Sequence, residues 1–546
     1  FPLRARAHTH THTHTHARAR PTSALTCIHV HPVVHTRSCT HAQSLHASGI
    51  ELTSLYAYKF CSPTRSSLNS GRLPIHVNQE NHPPNYPGGG VPLGMTMIAE
   101  KFASAGYLTH QIGKWHCGMS GYDRLPVSRG FNTSFGYLSG AEDHYAQTRD
   151  GQVDFWRNTQ PAWGENGTDY NTFMYTSEML NIIDNHDVTV PLYIYMAYQN
   201  VHGPLQVPSN YTDLYPSVNY VPRKMCLGMI SAVDESIGHA VARLKDRNMY
   251  NNTLIVFTSD NGGPADHANN FPYRGAKGSD FEGGVRVAAY VSGGVIPDSL
   301  RGTRKNGLMH VCDWYATFGY LAGYTPDDPK AVAAKLPAPD TLNTWEWIIS
   351  DSDTSTQSPR TELCLSGGTD SASSAPKSSG LIMTINGSLF KLVRGTQGSS
   401  MFPGPHMPNV SGGSSSVDCA DGWLFNLTAD AIEHIELSQK FEFAEIYDVI
   451  KKRQMFYDAS YYQSDGKDGG DPAASKAAEG KYRGFWGPWL PDGPVPSPPP
   501  PPPMPTPPPN PPATGVFIKK QGMCLRVSSL SGDASVTIGA CDGGSK

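Results

Sequence analysis

Charge of either sign is scarce in this 546-residue chain: Asp, Glu, Lys and Arg make up 16% of it, and the formal net charge is −4. So even a balance gives no electrostatic footprint for nucleic acid or an anionic membrane surface, which clustered Lys and Arg would have to supply. No stretch approaches the roughly 18 consecutive apolar residues of a membrane-spanning helix, so no span is expected. Ten cysteines are too few for a disulfide scaffold at this length. The basic start is not followed by an apolar h-region, so it does not read as a signal peptide. Aspartate is also missing from the start of the chain, where none precedes Asp123.

What is present falls into segments. Residues 1–46 carry the alternating tract His8 to His16 among Arg-Ala repeats, without apolar periodicity. They read as low-complexity sequence, disordered or a gene-model artefact rather than a domain. Residues 47–340 alternate short apolar runs with amphipathic stretches. Leu55 to Phe60 predicts a buried strand running into Cys61, and Thr64 to Leu68 predicts a helix start. Thr96 is the expected N-cap of a helix carrying Met97, Ile98 and Phe102 and stopped by Gly106. Tyr107 to His116 and Val190 to Ala197 predict strands, the second buried on both faces. Met225 to Leu244 predicts an amphipathic helix, and Thr253 to Thr258 another buried strand. This is an α/β pattern, a mostly parallel sheet flanked by helices, in which sites gather at the carboxyl ends of strands. Three of the expected strands end in polar residues fit for catalysis.

Residues 341–490 read as a smaller antiparallel-sheet unit, with Leu381 to Ile385 and Leu389 to Val393 as strands and Glu433 to Lys452 as helix. Cys364 and Cys419 are candidates to bridge two of its strands. Residues 491–513 form a polyproline spacer, and residues 514–546 resemble one truncated repeat of a ricin-type lectin. Seven Asn-X-Ser/Thr sequons, from Asn132 to Asn426, fit a chain of the secretory pathway, whether extracellular or lysosome- or vacuole-like.

Cys61-Ser62-Pro63-Thr64-Arg65 sets the chemistry. With Gly113-Lys114-Trp115-His116, Val201-His202-Gly203-Pro204, Ser259-Asp260-Asn261-Gly262-Gly263 and Glu282-Gly283-Gly284-Val285-Arg286 following in order, it resembles the type I sulfatases, of the alkaline-phosphatase-like fold. The resemblance implies cleavage of sulfate monoesters, on sulfated carbohydrate or aryl sulfate. It implies oxidation of Cys61 to formylglycine by a formylglycine-generating enzyme, with a hydroxyl of its hydrate attacking sulfur. Arg65 would steady that group, Lys114 and His116 would assist its deprotonation, and His202 would protonate the leaving oxygen. Lys277 would bind sulfate. A calcium ion would be held by Asp260 and Asn261, beside residue 61. A strand-end position of Lys114 and His116, two residues apart, would turn both to one face.

The sequence also departs from that pattern. The family's cation takes two further carboxylates from an Asp-Asp pair ahead of the cysteine, where this chain has no aspartate. Asp327-Asp328 lies too late to replace it. The expectation is therefore a half-built calcium site and weak activity or none. Two rival readings are an inactive extracellular carbohydrate-binding protein of the same fold, and a phosphoester or phosphonate hydrolase of the same superfamily.

Overall fold

The computed structural model describes residues 40–350, 357–368, 378–404, 415–463 and 470–491, together with the backbone of three strands near the end of the chain. The polyproline stretch and the histidine tract lie outside these residues. The last three strands, at 518–520, 523–527 and 536–540, pair antiparallel.

The described chain opens with α1 (Thr40–Ala47), so part of the segment read as low complexity is helix. Its first turn is fixed from outside: the Asp234 carboxylate accepts the backbone N–H groups of His41 and Ala42, orphan donors that every helix start must satisfy. Next come β1 (Ile50–Leu52), β2 (Leu55–Tyr56) and α2 (Cys61–Ser70). The expected strand into Cys61 is thus only two residues long, and the helix begins at the cysteine itself. Pro63 is tolerated in the first turn, where its missing N–H costs nothing. Gly71 ends α2 in the left-handed region, φ 68°, with its N–H on the Ser67 carbonyl. A Cβ there would lie 2.7 Å from the ring of Tyr315. Gly71→Ala is expected to destabilise by about 1–2 kcal/mol from the backbone alone, and by more once the buried ring is displaced. The shift of the urea midpoint measures it.

The helix α3 (Ile98–Ser104) starts one residue later than an N-cap at Thr96 would set it, with Met97 in that place. Thr96 instead gives its hydroxyl and N–H to Asp328, at 2.7 and 2.9 Å, and Glu100 accepts the N–H of Met97 at 2.7 Å. Asp328 also meets Arg72 at 2.8 Å, so it is engaged far from any cation site.

Further on come β3 (Leu108–Gly113), β4 (Thr133–Gly136), β5 (Trp156–Arg157), β6 (Gln160–Pro161) and α4 (Asn171–Asn185). The chain then makes β7 (Leu192–Ala197), the long α5 (Val221–Asp246) and β8 (Ile255–Thr258). After α6 (Glu282–Val285) come β9 (Ala289–Ser292), β10 (Thr303–Lys305), β11 (Met309–His310) and α7 (Asp313–Ala322). One sheet runs β6-β5-β4-β3-β7, with β4, β3 and β7 parallel; another runs β8-β9-β1-β10. The α/β architecture is the expected one, but its strands fall into two sheets. Both β7 and β8 are edges. Their residues are accordingly half-buried, Ala197 excepted, where burial on both faces was expected.

The smaller unit is the antiparallel sheet of β12 (Glu362–Ser366), β13 (Ser379–Ile385), β14 (Ser388–Arg394) and β15 (Trp423–Asn426), covered by α8 (Ala444–Ala459). The helix expected from Glu433 begins eleven residues later, because Glu433 is needed elsewhere: its carboxylate is buried against Lys391, 2.9 Å away. Lys391 also meets Glu282 at 2.9 Å, and so joins the two units through a fully buried ion cluster. Cys364 and Cys419 are both buried and free, so the bridge is not formed. Residues 470–491 do not close the smaller unit. Ala474, Tyr482, Phe485 and Trp486 join the core of the first sheet beside Trp115 and Trp156, and Trp156 Nε1–H donates to the Trp486 carbonyl at 2.6 Å.

Candidate active site

All six residues expected to act in catalysis converge on the start of α2. Cys61 is buried, and its thiol lies 3.3 Å from Lys277 Nζ and 3.4 Å from Asn261 Oδ1. Burial and the charge of Asp260 both push this thiol up. Lys114, with the imidazoles of His116 and His202, overcomes them and brings it well below the ordinary thiol range. Its place at a helix N-terminus acts in the same direction.

Arg65, one turn along α2, fans out to three elements. Its Nη1–H reaches the Lys114 carbonyl at 3.2 Å and the Tyr195 hydroxyl of β7 at 3.3 Å. Nη2 and Nε meet Asp260 Oδ2, just past β8, at 2.7 and 3.1 Å. Burial pushes Asp260 up, but Arg65, Lys114 and Lys277 together hold it below the carboxylate range.

Lys114 and His116 reach the site by a route other than strand alternation. The strand β3 stops at Gly113, and the ladder continues as single bonds: Lys114 N–H to Ala197, Trp115 N–H to Tyr137, His116 N–H to Leu138. His116 has φ 53°, an uncommon left-handed conformation for a non-glycine residue. Gly140 leaves room for its ring, since a Cβ there would stand 2.7 Å from Cε1. The His82 carbonyl, 2.9 Å from Nε2, fixes the proton there. The other nitrogen, Nδ1, is buried without a protein partner among the described residues and carries the lone pair. Burial lowers the His116 pKa to about 4, so the ring is in its basic form near neutrality. Lys114 is lowered to about 8, chiefly by burial, and keeps its charge there. His202 Nδ1–H is held by the Gly203 carbonyl at 2.8 Å, which leaves Nε2 for substrate.

Lys277 sits on a loop gripped by the smaller unit. Gly275 N–H donates to the Met401 carbonyl at 2.8 Å, and Arg274 Nε–H to the Ser400 carbonyl at 3.1 Å. The Arg274 guanidinium lies over the rings of Phe281, Phe402 and Trp423 at 4.1 to 5.1 Å. One supporting pair was not among the residues expected from the sequence. Lys59 and Asp280, buried and 2.6 Å apart, lie two residues before Cys61 and three after Lys277, and tie their loops together. A lysine inside the aromatic run Tyr56 to Phe60 was the available hint.

The donors for calcium are those the sequence left. Calcium takes six to eight oxygens. Here Asp260 is engaged by Arg65, and Asn261 Oδ1 accepts from the thiol. No group of three or more His, Cys, Asp or Glu able to hold a metal occurs among the described residues. These residues do not fit a calcium ion.

A family model described as Sulfatase matches residues 31–324. The chain belongs to the sulfatase family. Arylsulfatase J of Mus musculus is 31% identical over 472 residues, covering 82% of this chain and 75% of that protein. N-acetylgalactosamine-6-sulfatase of Homo sapiens is 28% identical over 322 residues, 54% of this chain and 60% of that one. Among solved structures, Ps i-CgsB in complex with k-i-k-neocarrahexaose superposes with a TM-score of 0.62 at 25% identity, over 78% of this chain and 88% of that chain. A sulfatase is thus a hydrolase of sulfuric esters by lineage, and this one keeps an alkaline-phosphatase-like α/β fold. No helix among its described residues is long and apolar enough to cross a membrane.

Proposed function

We propose that this sulfatase hydrolyses sulfate monoesters of carbohydrates, and aryl sulfates as surrogates, with residue 61 as the nucleophile after oxidation to formylglycine. The observation that carries the reading is the ring of cations around Cys61: Arg65, Lys114 and Lys277, with His116 and His202 beside them. Converted to formylglycine, residue 61 supplies a hydrated aldehyde oxygen as nucleophile toward sulfur. Lys277 and Lys114 bind the sulfate oxygens and offset the charge that grows on them. Arg65, oriented by Asp260, holds the nucleophilic position from the α2 side. The lone pair of His116 Nδ1 takes a proton at the nucleophile, and His202 Nε2, when protonated, gives one to the leaving oxygen. No step runs through a metal, since the donors do not form its site. The names of N-acetylgalactosamine-6-sulfatase and of the neocarrahexaose complex support a sulfated sugar as the natural substrate class.

The test is co-expression with a formylglycine-generating enzyme, mass spectrometry of the peptide containing residue 61, and turnover of 4-nitrophenyl sulfate beside the matching phosphate and phosphonate esters. Formylglycine with sulfate-selective turnover is expected. An unmodified cysteine with no sulfate hydrolysis would overturn the reading in favour of a non-catalytic protein, and preference for the phosphorus esters would move it to the rival hydrolase.

A further inference from the structure

Lys277 Nζ stands 3.3 Å from the Cys61 thiol, although the two residues are 216 positions apart in sequence. Their spacing is therefore set by whatever joins the segments that carry them. Immediately past Lys277 the chain turns through Gly278 at φ 97°, a residue with no side chain to restrict it. On one side this loop is tied to the smaller unit, by Gly275 N–H to the Met401 carbonyl at 2.8 Å and by Asp280 N–H to Gln397 Oε1 at 2.9 Å. Lys277 N–H meets the Gly263 carbonyl, past β8, at 3.1 Å. On the side of the nucleophile, Ala57 N–H meets the Val285 carbonyl at 2.9 Å, well beyond Lys277. Close to Lys277 the tie on that side is Lys59. Its carbonyl accepts the Gly278 N–H at 3.1 Å, and its ammonium donates to Asp280 Oδ2 at 2.6 Å.

The contact between the two side chains differs in kind from the others. Neither atom's role is open to an amide flip or a tautomer, since an ammonium only donates and an ionised carboxylate only accepts. Both residues are buried, Lys59 at 4% exposure and Asp280 at 0%. A second Lys59 proton goes to Ser378 Oγ at 2.6 Å, just ahead of β13. Taking two charges out of water offsets much of their attraction, and apolar side chains of similar volume often serve stability as well or better. The better attested use of such a pair is to fix one arrangement among several. The arrangement fixed here is that of the Lys277 loop against the residue two before the nucleophile.

We propose that Lys59 and Asp280 are positioning residues for Lys277, and that their ion pair sets the span from Lys277 Nζ to residue 61 and with it the affinity of the site for a sulfate group. This rests on the reading of Lys277 as a sulfate-binding cation above. The backbone hydrogen bond at Gly278 is a single point, about which the glycine leaves the loop free to turn. Asp280, two residues further on, supplies the second point and stops that rotation. With the pair removed, Lys277 keeps its charge but is no longer held against residue 61.

The experiment is calorimetric titration of the full chain with sodium sulfate, which needs neither turnover nor oxidation of Cys61. The double variant Lys59→Met with Asp280→Leu removes the tie without leaving a buried charge. Its sulfate dissociation constant is expected to rise about 10- to 100-fold, the worth of one hydrogen bond to a charged group. Asp280→Asn keeps an oxygen for the ammonium and should stay near wild type. Lys277→Met should show at least the loss of the double variant, and adding the double substitution to it should cost nothing more. A role in stability alone would move the urea midpoint and leave the dissociation constant of the folded chain as it was. If the double variant does not fold, Lys59→Gln replaces it, with an uncharged side chain one bond shorter. An unchanged dissociation constant in the double variant, where Lys277→Met raises it, would overturn the positioning role. So would an undiminished further loss in the Lys277→Met background, which would mean that the pair acts elsewhere. Lys277→Met without effect on sulfate would overturn the reading of Lys277 itself, and the proposal with it.

Discussion

Lys391→Met is expected to destabilise the protein by about 3–5 kcal/mol, the cost of leaving buried charge without its partner. Lys391 is fully buried and lies 2.9 Å from both Glu282 and Glu433. Glu282 is further held by Tyr56 at 2.8 Å and Arg286 at 3.2 Å, while the Glu433 carboxylate accepts the Glu282 N–H at 2.7 Å. Methionine fills the volume but removes the cation, so Glu433 must take up a proton or drag in water, and Glu282 is left with Arg286 alone. Adding Glu433→Gln to the variant should return part of the loss, because fewer charges then remain unpaired. Denaturant titration of the three proteins measures this. The pH dependence carries a sign of its own. Burial foremost raises the Glu433 pKa to about 7, while Lys391 opposes it. A carboxyl raised above its unfolded value, about 4.3, binds its proton more tightly in the fold. Its contribution is complete below that unfolded value and is lost as pH rises through about 7. The wild-type chain should therefore be more stable at pH 5 than at pH 8 by this group.

The second large effect is on activity. Arg65→Ala should lower kcat on an aryl sulfate by about 10²–10³-fold, in the range seen when one preorganised donor is removed from a charge-stabilising site. Arg65→Lys should recover little, because one ammonium cannot span the Lys114 carbonyl, the Tyr195 hydroxyl and Asp260 as the planar fork does. Without the guanidinium, Asp260 loses the strongest of the cations that hold its pKa down. A depressed carboxylate contributes stability above its unfolded pKa of about 3.9, lost only as pH falls toward the folded value. In Arg65→Ala that contribution shrinks, and acid unfolding should begin at a higher pH. Steady-state kinetics and an acid titration followed by tryptophan fluorescence check the two parts.

The residues proposed for catalysis were legible in the sequence because each sits in a short local pattern: Cys61 and Arg65 one turn apart, Lys114 and His116 after a strand, His202 beside Gly203-Pro204. Their geometry was less so. His116 was expected on an alternating strand, and its left-handed backbone depends on the small neighbour Gly140, which lies 24 residues away. The role of Arg65 as the partner of Asp260 was hidden because Asp260 was assigned to a cation, and a separation of 195 in sequence carries no pairing signal. The Lys391 cluster is further out of reach, joining positions 109 and 151 residues apart. For Arg65 local spacing named the residue and a distant charge decided its environment, whereas nothing local named Lys391.

The two edge strands have a last consequence. No backbone ladder among the described residues joins β7 to β8, so the half bearing Lys114 and His202 and the half bearing Asp260 meet across a seam at the site. Arg65 is the stitch across it, bonded to Tyr195 on one side and Asp260 on the other. The arginine proposed to act in catalysis is thus also a mechanical joint. An anion bound among Lys114, His202 and Lys277 would tie the same two halves a second time, making occupancy of the site and cohesion of the molecule one equilibrium.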